Sequence, residues 1–130
     1  MNIQDKVKEF HEAFGHGVDC IQGTDEREIT KAEADTVMLR RKLIVEEFEE
    51  LMSAPYLDDV MKEACDLVYV VMGMFVEFGW DFEEAFDRVH KSNMSKLGED
   101  GLPIYREDGK VLKGPNYEPA DLSDLVQISG

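Results

Sequence analysis

Apolar residues recur along this chain at intervals of three and four, the spacing that lines one face of an α-helix. Ile3, Val7, Phe10 and Phe14 mark a first helix over residues 2–14, ended by Gly15 and Gly17. The stretch from His16 to Glu28 carries Gly, Asp and Thr without sustained periodicity and reads as a loop. Thr30 with Glu33 forms a capping-box pattern at the head of a long helix over residues 31–54, which Pro55 closes. A third helix begins at Tyr56 or Leu57 and runs to Phe78, with Gly79 as its stop. Asp81 with Glu84 caps a fourth, which Phe82, Ala85, Phe86, Val89, Met94 and Leu97 carry to Gly98. The period then lapses. Leu102 to Gly114, broken by Asp108-Gly109, predicts a small hairpin or irregular loop, and the tail beyond Pro115 predicts a helical turn within residues 120–126. The class predicted is all-α: a four-helix bundle with a C-terminal loop or small hairpin, in one domain spanning residues 1–130.

Polar residues on apolar faces are the informative exceptions. Stepping about 100° per residue along the second helix sets Val37, Ile44, Phe48 and Leu51 on one core stripe. Glu47 then falls between Leu43 and Leu51, and Glu50 between Leu39 and Leu43, whereas Lys42 and Glu49 land on the solvent side. On the third helix Glu63 falls between Val70 and Met74. A carboxylate withdrawn from water without a partner is costly, so it neutralises, pairs with a cation or ligates a metal. The third helix is also apolar almost all the way round, from Val60 to Val76. A helix of that kind needs cover on several sides, which in a small domain predicts a homodimer or a dimer of dimers.

Composition narrows the class. With 33% charged and 43% apolar residues the chain is globular rather than disordered, and its longest strongly apolar run, Leu67 to Val76, is too short to cross a bilayer. No basic start followed by an apolar stretch marks a secretory leader, so a cytoplasmic location is expected. Cys20 and Cys65 belong to no Cys-x-x-Cys pair and are expected reduced, Cys65 in the core. The net charge of −15 excludes nucleic-acid polymers and anionic membranes as partners. That charge is unevenly spread. Residues 88–113 hold six basic against four acidic side chains, and the rest of the chain eight against twenty-five, so an anion site should draw on the later segment.

Two constellations carry candidate chemistry. Glu46, Glu47 and Glu50 on the second helix, and Glu63 and Asp66 on the third, share helix faces through spacings of three and four. A turn at Pro55 would run the helices antiparallel and bring the two patches within reach. Clustered carboxylates suit Mg²⁺ or Mn²⁺, hard ions that prefer oxygen. The competing reading is a solvated acidic face. A di-iron carboxylate centre would need Glu-x-x-His pairs, and the nearest approach is Asp87-x-x-His90. The second constellation is Lys91-Ser-Asn-Met-Ser-Lys96, where Lys91 and Lys96 could hold phosphates and Asn93 a hydrogen bond, against the alternative of cations complementing a helix dipole.

Glu46-Glu47-x-x-Glu50, twelve intervening residues, Glu63-x-x-Asp66 and then Lys91-x-Asn93-x-x-Lys96 together resemble the all-α nucleoside triphosphate pyrophosphohydrolases, the superfamily of MazG, phosphoribosyl-ATP pyrophosphohydrolase and the dimeric dUTPases. The stretches Val89 to Leu97, Asp108 to Tyr117 and Phe10 to Gly15 resemble its compact MazG-like branch in bacteria and phages. The resemblance implies attack of water on the α-phosphorus of a nucleoside triphosphate, releasing monophosphate and pyrophosphate. It implies Mg²⁺, with Mn²⁺ as a substitute, on Glu47, Glu50, Glu63 and Asp66, with Glu46 as general base. It further implies that Lys91, Asn93 and Lys96 contact phosphate or sugar, and that the enzyme serves nucleotide housecleaning. The substrate expected is a deoxynucleotide, with dUTP or another pyrimidine ahead of purines. The alternative is a non-catalytic acidic dimerisation module.

Overall fold

The computed structural model describes residues 1–20 and 30–126, and among these the chain is all-α, with four helices. They are α1 (Ile3–Phe14), α2 (Lys31–Ser53), α3 (Leu57–Phe78) and α4 (Phe82–Met94), followed by a single 3-10 turn, Ser123–Val126. Most of the loop expected over residues 16–28 lies outside the described residues. The described residues form two compact units, one ending at Trp80 and one beginning at Asp81.

In the first unit α3 packs against both α1 and α2. The helix starts follow local side-chain chemistry. Thr30 accepts from the Glu33 N–H while the Glu33 carboxylate accepts from the Thr30 N–H, so two amides that the helix cannot satisfy internally are paired. Asn2 and Asp5 make the same reciprocal pair at α1. Gly79 closes α3 at φ +71°, a left-handed conformation that other residues rarely adopt, and lets the Trp80 N–H reach back to the Phe75 carbonyl at 2.9 Å. The Asp19 and Cys20 N–H groups then donate to the Val76 and Glu77 carbonyls, and Gln4 Nε2 donates to the Trp80 carbonyl, tying α1 to the end of α3.

Val7, Met72, Val76 and Phe78 are the apolar side chains of this unit that are buried outright, and Phe78 stacks on Trp80 with ring centroids 4.7 Å apart. They lie on α1 and on the C-terminal half of α3. The half of α3 that carries Glu63 and Asp66 contributes none of them. Two sequence expectations fail there. Phe48, placed on the core stripe, is 50% exposed, and Cys65 is exposed rather than in the core. The apolar period gives the face of a helix but not how far along it the neighbouring helix covers that face.

In the second unit Asp81 caps α4 through the Glu84 N–H. This helix stops at Met94, short of the expected Gly98, because its end tightens to a three-residue spacing: the Lys96 N–H donates to the Asn93 carbonyl and the Leu97 N–H to that of Met94. Tyr105 and Val111 form one antiparallel bridge around the Asp108-Gly109 turn, the small hairpin reduced to its minimum. Arg88 holds the 3-10 turn, donating to Asp124 through both terminal nitrogens and to Glu84 through Nε at 2.9 Å.

Candidate metal centre

The contact between α2 and α3 is a seam with charge at both ends. Val37, Arg40, Ile44, Glu47 and Leu51 follow one another on α2 at intervals of three and four, as do Glu63, Asp66, Val70, Gly73 and Glu77 on α3. Seven residues, two helical turns or about 10 Å, separate Arg40 from Glu47 and Glu63 from Val70. One antiparallel register therefore sets Glu47 beside Glu63 and Arg40 beside Val70.

At one end the charges are compensated. Arg40, only 4% exposed, donates from Nη2 to the Val70 carbonyl at 2.6 Å, and its Nε, buried and without a hydrogen-bond partner, lies 3.8 Å from Glu77 Oε2 as an ion pair. Burial pulls the guanidinium below its usual range and the Glu77 charge opposes that pull. Gly73 is the notch that admits it: a Cβ there would lie 1.9 Å from Arg40 Nη2 and 3.1 Å from His11 Nε2. His11, itself buried, donates from Nδ1 to the Gly17 carbonyl at 2.8 Å.

At the other end the charges are not compensated. One carboxylate oxygen each from Glu47, Glu50 and Glu63 lie within 4.8 Å of one another. Glu47 Oε2 and Glu63 Oε2 are shielded from solvent and meet no hydrogen-bond partner. Burial first, then repulsion by Glu50 and Asp66, a hydrogen bond with Glu50 and repulsion by Glu63 push the Glu47 carboxyl above the usual carboxylate range. A divalent cation would relieve each of these costs, and a cluster of carboxylate oxygens is the donor set that a hard ion selects. The residues present therefore fit Mg²⁺ or Mn²⁺.

The remaining sequence-predicted residues are less gathered. Asp66 is close enough to repel Glu47, but its Oδ2 receives the Lys62 ammonium at 2.6 Å and it does not join the group of three. Glu46 and Glu50 are exposed, although Glu50 was expected on the apolar face. Lys91, Asn93 and Lys96 belong to the second unit. There Lys91 is exposed and pairs with Asp87 at 3.1 Å, Asn93 is exposed, and the half-buried Lys96 fixes the following loop by accepting the Gly114 N–H at its carbonyl. Lys91 also borders a cleft of about 200 Å³ lined by Ser92, Ser95 and Glu118. Sequence reasoning missed Arg40, Glu77 and Lys62. Arg40 occupies the same stripe of α2 as Glu47, three and four residues from Val37 and Ile44.

The family model for phosphoribosyl-ATP pyrophosphohydrolase matches residues 7–93, two thirds of the chain, including all five acids of the paired motifs together with Lys91 and Asn93. The chain belongs to the phosphoribosyl-ATP pyrophosphohydrolase family. This family member is 30% identical over 124 residues to an uncharacterised protein of Acanthamoeba polyphaga mimivirus, a match that covers 92% of this chain and 46% of that protein. The chain thus spans about half the length of the curated relative it matches. It is also similar to a candidate NTP pyrophosphohydrolase from Exiguobacterium sp. 255-15 known from its crystal structure, at 27% identity and a TM-score of 0.44, with 92% of this chain and 89% of that chain covered.

Proposed function

We propose that residues 1–130 act as one Mg²⁺-dependent nucleoside triphosphate pyrophosphohydrolase domain, converting a deoxynucleoside triphosphate and water to the monophosphate and pyrophosphate. The observation that carries this reading is the convergence of Glu47, Glu50 and Glu63 with two shielded carboxylate oxygens that have no partner. An acidic seam left uncompensated at one end, while Arg40 and Glu77 compensate the other, is unfavourable unless a cation joins it.

Glu47, Glu50, Glu63 and Asp66 would hold the ion, which when bound neutralises phosphate oxygens and acidifies water. Glu46, exposed beside them in sequence, orients the attacking water and takes its proton. Lys91, Asn93 and Lys96 are assigned to phosphate or sugar, where an ammonium steadies the negative charge of the departing pyrophosphate. The substrate proposed from the resemblance is a pyrimidine deoxynucleotide, dUTP first. The exposed apolar residues of α2 and α3 support a homodimer, and a housecleaning role in the cytoplasm accords with such chemistry.

The test is a panel of ribo- and deoxynucleoside triphosphates with Mg²⁺ or with chelator, resolving monophosphate, diphosphate and pyrophosphate products. Metal-dependent monophosphate plus pyrophosphate is the expected result. Folded protein that is silent across the panel and takes up no Mg²⁺ would instead be a non-catalytic dimerisation module.

A further inference from the structure

The ammonium of Lys62 lies 2.6 Å from Asp66 Oδ2 and 3.4 Å from Glu63 Oε1. It therefore bridges two of the acids read above as metal ligands without being assigned to the site itself. The Lys62 side chain is 67% exposed, against 35% for Asp66 and 17% for Glu63, so the cation stands on the solvent side of the acids. On Glu63 the division is within one carboxylate: Oε1 faces Lys62, whereas Oε2 is shielded and without a partner. Asp66, which Lys62 holds most closely, is the acid of the four whose oxygen does not join those of Glu47, Glu50 and Glu63.

These facts share one cause. An ammonium is a point charge that takes a carboxylate at hydrogen-bond distance, and in doing so it turns the acceptor oxygen toward itself. A hard divalent ion demands the same oxygens in a tighter, directed geometry, so the two cations compete for Asp66. An exposed ion pair is weak and rearranges at little cost, which makes Lys62 displaceable.

We propose that Lys62 is a resident counter-ion of the acidic site, holding Asp66 and Glu63 in the metal-free chain and releasing Asp66 when a divalent cation enters. It then sets the affinity of the site without ligating the ion, as a positioning residue that acts through Asp66. This inference rests on the reading of the acids as a metal centre, and no covalent bond forms or breaks in the exchange.

The test is calorimetric titration of the full chain with MgCl₂ at low ionic strength, for the wild type, the neutral variants Lys62→Met and Lys62→Gln, and the charge-retaining Lys62→Arg. The neutral variants should bind Mg²⁺ about two- to fivefold more tightly, the scale of an exposed ion pair, and Lys62→Arg should match the wild type. In chelator the neutral variants should melt lower than the wild type, and saturating Mg²⁺ should close that gap. Unchanged or weaker binding by both neutral variants, beside a wild type that does bind, overturns the role of Lys62 alone. A wild type that takes up no Mg²⁺ overturns the metal-centre reading, and the counter-ion role with it.

Discussion

Glu47 is crowded by three acids and partly withdrawn from water. Replacing it by glutamine keeps its shape and removes one charge. Glu47→Gln should lower Mg²⁺-dependent turnover about a hundredfold or more, because losing a ligand weakens the hold on the ion that the reaction needs, with Mg²⁺ affinity falling alongside. In chelator the same variant should melt no lower than the wild type, because like charges crowd less once one is gone. Turnover and calorimetry with matched melting curves check both halves. A fully active Glu47→Gln would remove that residue from the site. Glu50→Gln should follow the same pattern, and Asp66→Asn should match it in turnover.

At the scale of elements, α3 owes its fit against α2 to a missing side chain. Gly73→Ala would drive a methyl group to 1.9 Å from Arg40 Nη2, and the guanidinium has little room to yield because it is buried and bound to the Val70 carbonyl. A destabilisation of about 1–3 kcal/mol is expected, the usual cost of overpacking, read from urea or thermal unfolding. The contact between α4 and the 3-10 turn is electrostatic instead and should respond to acid. Hydrogen bonds from Arg88 hold the Asp124 carboxyl below its usual range. The unfolded chain therefore binds that proton more readily than the folded one, so the pair's contribution is present above the unfolded value of about 4. It is lost as pH falls through the lower folded value. Amide shifts of Leu125 and Val126 should move in that window, and Arg88→Gln should abolish the transition.

For the whole molecule, the apolar surface is the feature that one chain leaves unsatisfied. Met38, Val45 and Met52 recur every seventh residue on the face of α2 turned away from the acids, at 59%, 51% and 70% exposure. Sedimentation should give twice the chain mass, and Val45→Lys should shift the distribution toward monomer while leaving the Mg²⁺ isotherm of the distant face intact. Among the described residues no helix is long and apolar enough to cross a membrane, so this surface does not mark a helical span.

What the sequence determined by itself was local. The four helices, the Thr30 and Asp81 caps and the Gly79 stop depend on contacts within about one turn, which spacing and side-chain chemistry disclose. The same spacing disclosed that Glu47 and Glu63 sit where a charge is costly. Applied to Arg40 it would have disclosed a third such residue, and Asn2 with Asp5 a further cap. What only the tertiary structure decided was pairing. The antiparallel register of α2 on α3 brings Glu47 and Glu50 to Glu63, leaves Asp66 to Lys62 and seats Arg40 over Gly73, while Phe48 and Cys65 remain open despite their apolar neighbours in sequence. Helical period fixes the direction of a side chain about its own axis. What it meets there is set by where the other helix lies along that axis, and that is decided by packing between residues far apart in the chain.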